Sequence, residues 1–245
     1  MKNLSLLTLT ALAAFFCSAK PTDAAPGDSA SPTHEIRQIS GWNVHISSSL
    51  LTNNAEATDA ALKLLSAQLD NIVNVVPPAA VGELRKVPLW FSPEYPGIRP
   101  KAEYHASANW LRENGRDPVM AKSVEFTNIR IFETENRRMP MLALHELAHS
   151  YHDRVLGNNH PEIKAAYEAA KASGKYEQVE QRSADGRTRK TRAYAMNNPQ
   201  EYFAESTEAF FGRNDFFPFT REELKETDPQ MCALLEKLWS TPQKQ

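Results

Sequence analysis

The sequence predicts an α+β fold: a small, mixed N-terminal sheet packed on one apolar, histidine-bearing helix, followed by a mostly helical second half. Three observations carry this. Runs rich in β-branched and aromatic residues end at IFE, Ile131 to Glu133, and helically spaced apolar residues dominate after Met139. The most apolar stretch of the second half, MLALHELAHSYHDRVLG (Met141 to Gly157), carries two histidines four apart and a glutamate beside the first. The chain has 245 residues, 41% of them hydrophobic, enough for one sizeable core.

Taken in order, the elements start with a segment that reads as an address. Lys2 is followed by an uncharged apolar run from Leu4 to Phe16 and then by small residues, the pattern of a secretion signal over residues 1–24. A secreted or periplasmic location is therefore expected. No later stretch approaches the ~18 consecutive apolar residues of a membrane span. Residues 25–33 lie in a Pro-, Ala-, Ser- and Asp-rich leader with no apolar period, expected to be disordered, and the folded domain is expected over 34–245. Loss of the signal removes Cys17 and leaves Cys232 alone, so no intrachain disulfide is expected. A formal charge of −2 with no strongly basic half points away from nucleic acid and anionic membranes as partners.

HEIRQISGWNVHIS, from His34, alternates enough for one or two short strands. The next segment places Ala61, Leu64, Leu65, Leu69, Ile72 and Val76 on one helical stripe, which Pro77 and Pro78 should end. KVPLWFSP and SVEFTNIRIFE read as strands, with a loop and a short helix, SANWLREN, between them. Helices are then expected at about Met139 to Leu156, from Pro161 to Ser173, from about Pro199 to Phe211, and from Arg221 to Trp239. EQRSADGRTRKTR, with its Asp185-Gly186 turn, is expected to be an exposed, basic hairpin.

On a helix, His145 and His149 share one face and can direct ring nitrogens at one ion. Glu146 then points beside that ion, where a carboxylate can take a proton from a metal-bound water, as in the HExxH pattern of zinc peptidases. Two histidines and a glutamate buried on an apolar helix are costly without a partner, and a metal supplies one. A catalytic zinc takes a third protein ligand. His152 lies roughly 10.5 Å along the helix from His145, too far for easy convergence. His160 falls five residues beyond the third histidine of the HExxHxxGxxH pattern. Downstream, Asn198 can cap a helix with Pro199 in its first turn, placing Glu201, Glu205 and Glu208 on one face. Spacing alone leaves the ligand open between Glu201 and Glu205, since Asn198 and Glu201 also fit a capping box.

HELAH followed by YAMNNPQEYFAES resembles the metallopeptidase domain shared by the anthrax lethal factor and the secreted Pro-Pro endopeptidases, over about Met139 to Phe211. Those proteins carry HExxH and, later, a Tyr seven residues before a ligand Glu. The resemblance implies a zincin-like fold and one zinc per chain, bound by His145, His149 and Glu201. It also implies Glu146 as general base, Tyr194 as oxyanion donor, and Glu205 orienting a histidine ligand. The expected activity is hydrolysis of a peptide or protein substrate by a monomer. A structural metal site and a hydrolase of non-peptide bonds are the competing readings. Three N/O ligands without cysteine favour catalysis over a closed structural site.

Overall fold

The computed structural model describes residues 33–240. The signal expected over 1–24 and all but the last residue of the leader lie outside them. Strand β1 (His34–Ile39) and strand β2 (Trp42–Ser47) form an antiparallel hairpin across Ser40-Gly41. Both turn residues have positive φ, 50° and 94°, the hand that matches the twist of paired strands. A short helix α1 (Ser48–Asn53) leads into α2 (Ala55–Val75), which buries Ala61, Leu62, Leu65, Leu69 and Ile72 at three- and four-residue spacing. Pro77 and Pro78 stop α2, as the sequence suggests. Pro78 also opens an unforeseen helix, α3 (Pro78–Leu84), where its missing N–H costs nothing.

Strands β3 (Leu89–Phe91), β4 (Ala102–Tyr104) and β5 (Val124–Phe126) complete a five-stranded sheet in the order β1-β2-β3-β5-β4. The inner strands β2, β3 and β5 run parallel, and both edge strands are antiparallel to their neighbours. Every residue of β3 and β5 is buried, as expected for parallel strands covered on both faces. Between β4 and β5, helix α4 (Ala108–Glu113) is capped by Ser107, whose hydroxyl accepts from the Trp110 N–H.

Two departures from expectation occur here. The segment read as loop contains β4, whose three half-buried residues carry no alternation of their own and extend only by pairing with β5. The segment read as one long strand keeps strand only at β5 and turns into helix α5 (Phe132–Arg138). Glu133 and Glu135 in its first turn and Arg137 and Arg138 in its last complement the helix dipole.

Helix α6 (Leu142–Tyr151) lies against β4, β5 and α2 with nine of its ten residues buried. The Oε1 of Gln68, from α2, accepts the Ala143 N–H at 2.8 Å, satisfying one of the amides left free at the start of α6. The single helix expected to Leu156 instead widens into a π-helical turn over His152–Leu156 before Gly157, at φ 84°, ends it. Helix α7 (Pro161–Ser173) precedes the hairpin of β6 (Val179–Arg182) and β7 (Thr188–Thr191), then α8 (Pro199–Phe211) packs against α6.

The helix expected over Arg221–Trp239 is two, α9 (Arg221–Thr227) and α10 (Pro229–Ser240). Pro229 drives Asp228 out of the helical region, to φ −139° and ψ 69°, and the Asp228 side chain then accepts the Met231 N–H at the start of α10. An aromatic stack of Tyr151, Trp239 and Phe203 joins α6, α10 and α8. No helix among the described residues is long and apolar enough to cross a membrane.

Candidate metal centre

The site lies where α6 faces α8, beside the edge strand β4. His145 and His149 stand one turn apart on α6, and their Nε2 atoms are 3.1 Å from each other. Asn198 accepts the Glu201 N–H at 2.8 Å, and Pro199 occupies the first turn, so α8 starts where Glu201 faces α6. Glu201 Oε2 lies 3.2 Å from His145 Nε2 and 3.3 Å from His149 Nε2. That oxygen is buried and has no hydrogen-bond partner among the described residues.

Three donor atoms converging with one orphaned oxygen fit a cation. Bonds of about 2.0–2.1 Å to a tetrahedral zinc separate ligand atoms by about 3.3–3.4 Å, close to the separations found here. His145, His149 and Glu201 could hold the ion; a second group, His145, Glu205 and Glu208, is fully buried and shares His145. Glu205 lies 4.0 Å from His145 Nδ1, and burial beside Glu208 pushes its carboxyl well above the usual range, which makes it the poorer ligand.

The ring orientation of His145 comes from a different carboxylate than expected. Glu208 Oε1 sits 2.8 Å from His145 Nδ1, while Glu205 Oε2 accepts from the Asn214 side chain at 3.0 Å. On α8, Glu208 is seven residues after Glu201 and faces the far side of the imidazole, whereas Glu205 is drawn away by Asn214. Burial raises the Glu208 carboxyl, against the pull of the His145 ring. Burial alone would push His145 down, but Glu201 and Glu208 outweigh it and raise its pKa well above normal. Glu201 shows the converse: burial raises its carboxyl, but the two imidazoles facing it hold it well below the usual carboxylate range.

Glu146 is buried on the neighbouring face of α6, and its Oε2 accepts the Tyr104 N–H from β4 at 2.9 Å. Tyr194 sits in a 3-10 turn just before α8 and is 45% exposed, so its hydroxyl can reach a ligand. Burial and the Glu201 charge raise its pKa, keeping the phenol protonated at neutral pH. His145, Glu146 and Tyr194 together line both halves of an open cleft, about 870 Å³ on the hairpin side and about 390 Å³ on the other. The rejected third-ligand candidates stay out of the centre: neither His152 nor His160 belongs to either possible metal group. His152 is buried against Phe203 with both ring nitrogens unpartnered.

A family model for the anthrax toxin lethal factor, N- and C-terminal domain, matches residues 112–238, just over half of the 245-residue chain. The chain belongs to this family. The matched span of this lethal-factor relative runs from α4 to α10 and holds His145, Glu146, His149, Tyr194, Glu201 and Glu208, leaving β1 to β4 outside it. No curated protein and no solved structure matches the chain. Two contributors to the site carry no motif signal in the sequence. Glu208 lies on the same helical face as Glu201 and Glu205, and only packing selects it. The Tyr104 amide is backbone, which no side-chain pattern encodes.

Proposed function

We propose that the protein is a secreted or periplasmic zinc-dependent endopeptidase with a zincin-like fold, acting as a monomer on peptide or protein substrates. The observation that carries this reading is the convergence of His145, His149 and Glu201 at the floor of a cleft, with Glu146 adjacent but outside the set of three. The lethal factor family is zinc-dependent, which supports zinc as the ion.

A zinc ion held by these residues would supply a Lewis acid that lowers the pKa of water towards ~7 and polarises a carbonyl. The protein's own residues do the rest. Glu146, held in place by the Tyr104 amide, takes the proton from the attacking water and later delivers it to the leaving amine. Tyr194, protonated and partly exposed, donates a hydrogen bond to the oxygen that gains charge as the carbonyl becomes tetrahedral. Glu208 holds His145 with its Nδ1–H directed away from the cleft, leaving Nε2 free as a donor atom. The outer edge of β4 runs beside the site, and an extended substrate can pair there as an added strand.

Digestion of a proteome-derived peptide library by the zinc-loaded protein, read by mass spectrometry, tests the reading. Cleavage that stops on chelation and returns with zinc is the expected result. An intact library at full zinc occupancy would instead support a structural metal site or a non-peptide substrate.

A further inference from the structure

We propose, resting on the peptidase reading of the same cleft, that its hairpin half selects acidic peptides, with Arg189 and Arg99 meeting substrate carboxylates. The two halves of the cleft differ in chemistry. The half away from the hairpin presents amides from Asn158, Asn198 and Gln200 around the centre, beside the Lys101–Glu103 pair that it shares in part with the other half. The hairpin half presents Arg99, Lys101, Arg187 and Arg189 on its walls, together with the carboxylates Glu135 and Asp215, which Arg138 pairs, and Glu205, which accepts from Asn214.

The state of each cation decides which can bind a ligand. Arg138, deeper in the same half, is committed to Glu135 at 2.6 Å and Asp215 at 2.8 Å. Lys101 pairs with Glu103 and Arg187 with Asp185 in exposed contacts that a ligand can exchange at little cost. Arg99 and Arg189 have no carboxylate partner among the described residues. Their charge is open to a substrate.

The hairpin is exposed, as the sequence suggests, yet its first strand is fastened to the rest of the fold. The Arg182 N–H donates to the Asp215 carbonyl at 2.8 Å, and the Phe217 N–H donates to the Glu180 carbonyl at 2.8 Å, so β6 is fastened to the segment after α8. Gln181 links the two systems: its Nε2 donates to Asp215 at 3.2 Å and its Oε1 accepts from Arg189 Nε at 2.9 Å. The Arg189 guanidinium is thus oriented from below, with its remaining donors free. A planar fork held in place suits bidentate capture of a carboxylate. Acidic side chains should accordingly cluster on one side of the scissile bond.

The test uses the chain carrying Glu146→Gln, so that binding is read without turnover, and fluorescence anisotropy with a glutamate-rich peptide and its glutamine counterpart. The glutamate peptide should bind about ten-fold tighter, and Arg189→Glu should remove most of that preference, as expected for reversing one oriented charge. Arg189→Gln, a milder change, should lose part of it, and added salt should weaken the acidic peptide selectively. Lys190→Glu makes the same change in net charge one residue away, outside the residues lining the cleft, and should leave the preference in place. Equal binding of the two peptides would overturn the proposal. So would an equal loss in Lys190→Glu, or displacement by a single-stranded oligonucleotide but not by polyglutamate. The underlying reading fails separately: acidic binding with no cleavage of any library peptide would sink the peptidase while this inference stood, and cleavage without acidic preference would do the reverse.

Discussion

At the scale of single residues, Glu146 and Tyr194 are assigned chemistry without being ligands, so binding and turnover should separate. Glu146→Gln keeps the size and removes the base, and turnover should fall by at least ~10² while elemental analysis still finds one zinc per chain. Tyr194→Phe deletes one hydroxyl, and kcat should drop by about 10²–10³ with KM little changed. Near-normal turnover in either variant would remove that residue from the mechanism. The two carboxylates behind His145 make a second, sharper comparison. Glu208→Gln weakens the charge that holds His145 Nδ1 at 2.8 Å and should cost ~10–100-fold in zinc affinity in a chelator competition titration. Glu205→Gln, whose partner is Asn214, should cost clearly less. A larger loss in Glu205→Gln would return the orienting role to the residue that the family resemblance suggests.

At the scale of elements, the turn that ends α6 makes the fold sensitive to acid. His152 is buried there without hydrogen bonds to either ring nitrogen, and burial, helped by the charges of His149 and His160, lowers its pKa to about 4. The folded state therefore disfavours the proton. Between the ordinary value of 6.5 and about 4 the unfolded chain binds more protons, so the contribution to stability is whole above that window and lost as pH falls through it. About 2 kcal/mol should disappear between about pH 7 and pH 5. His152→Leu, similar in volume and free of unpaired nitrogens, should cost little near pH 7 and flatten this dependence in urea unfolding. An unchanged pH slope in the variant would place the acid sensitivity elsewhere.

At the scale of the molecule, the centre ties α6 to α8, and through them the sheet to the helical half. An ion bound only by the folded state stabilises it by about 4 kcal/mol when free zinc is a thousand-fold above its Kd. Chelation should thus lower the thermal midpoint, and added zinc should restore it; an unshifted midpoint in demonstrably zinc-free protein would show that the ion does not couple these halves. Much of this architecture is legible in sequence, because its signals are local. Helices α2, α7 and α8 follow from apolar period, Pro77-Pro78 after α2, Gly174 after α7, and Asn198-Pro199 at the start of α8. The histidine pair follows from helical spacing, and the hairpin turn from Asp185-Gly186. What stayed hidden depends on partners distant in sequence. β4 is strand only because β5 pairs with it, and Glu208 rather than Glu205 meets His145 because α8 packs on α6 at one rotation. The same packing brings Glu201, not Glu205, to the Nε2 atoms of both histidines, and Arg189 joins the cleft wall only because β6 is fastened to the segment after α8. Spacing and composition determine which residues share a face; which face meets which group is decided by burying the apolar stripes of several helices and strands in one core.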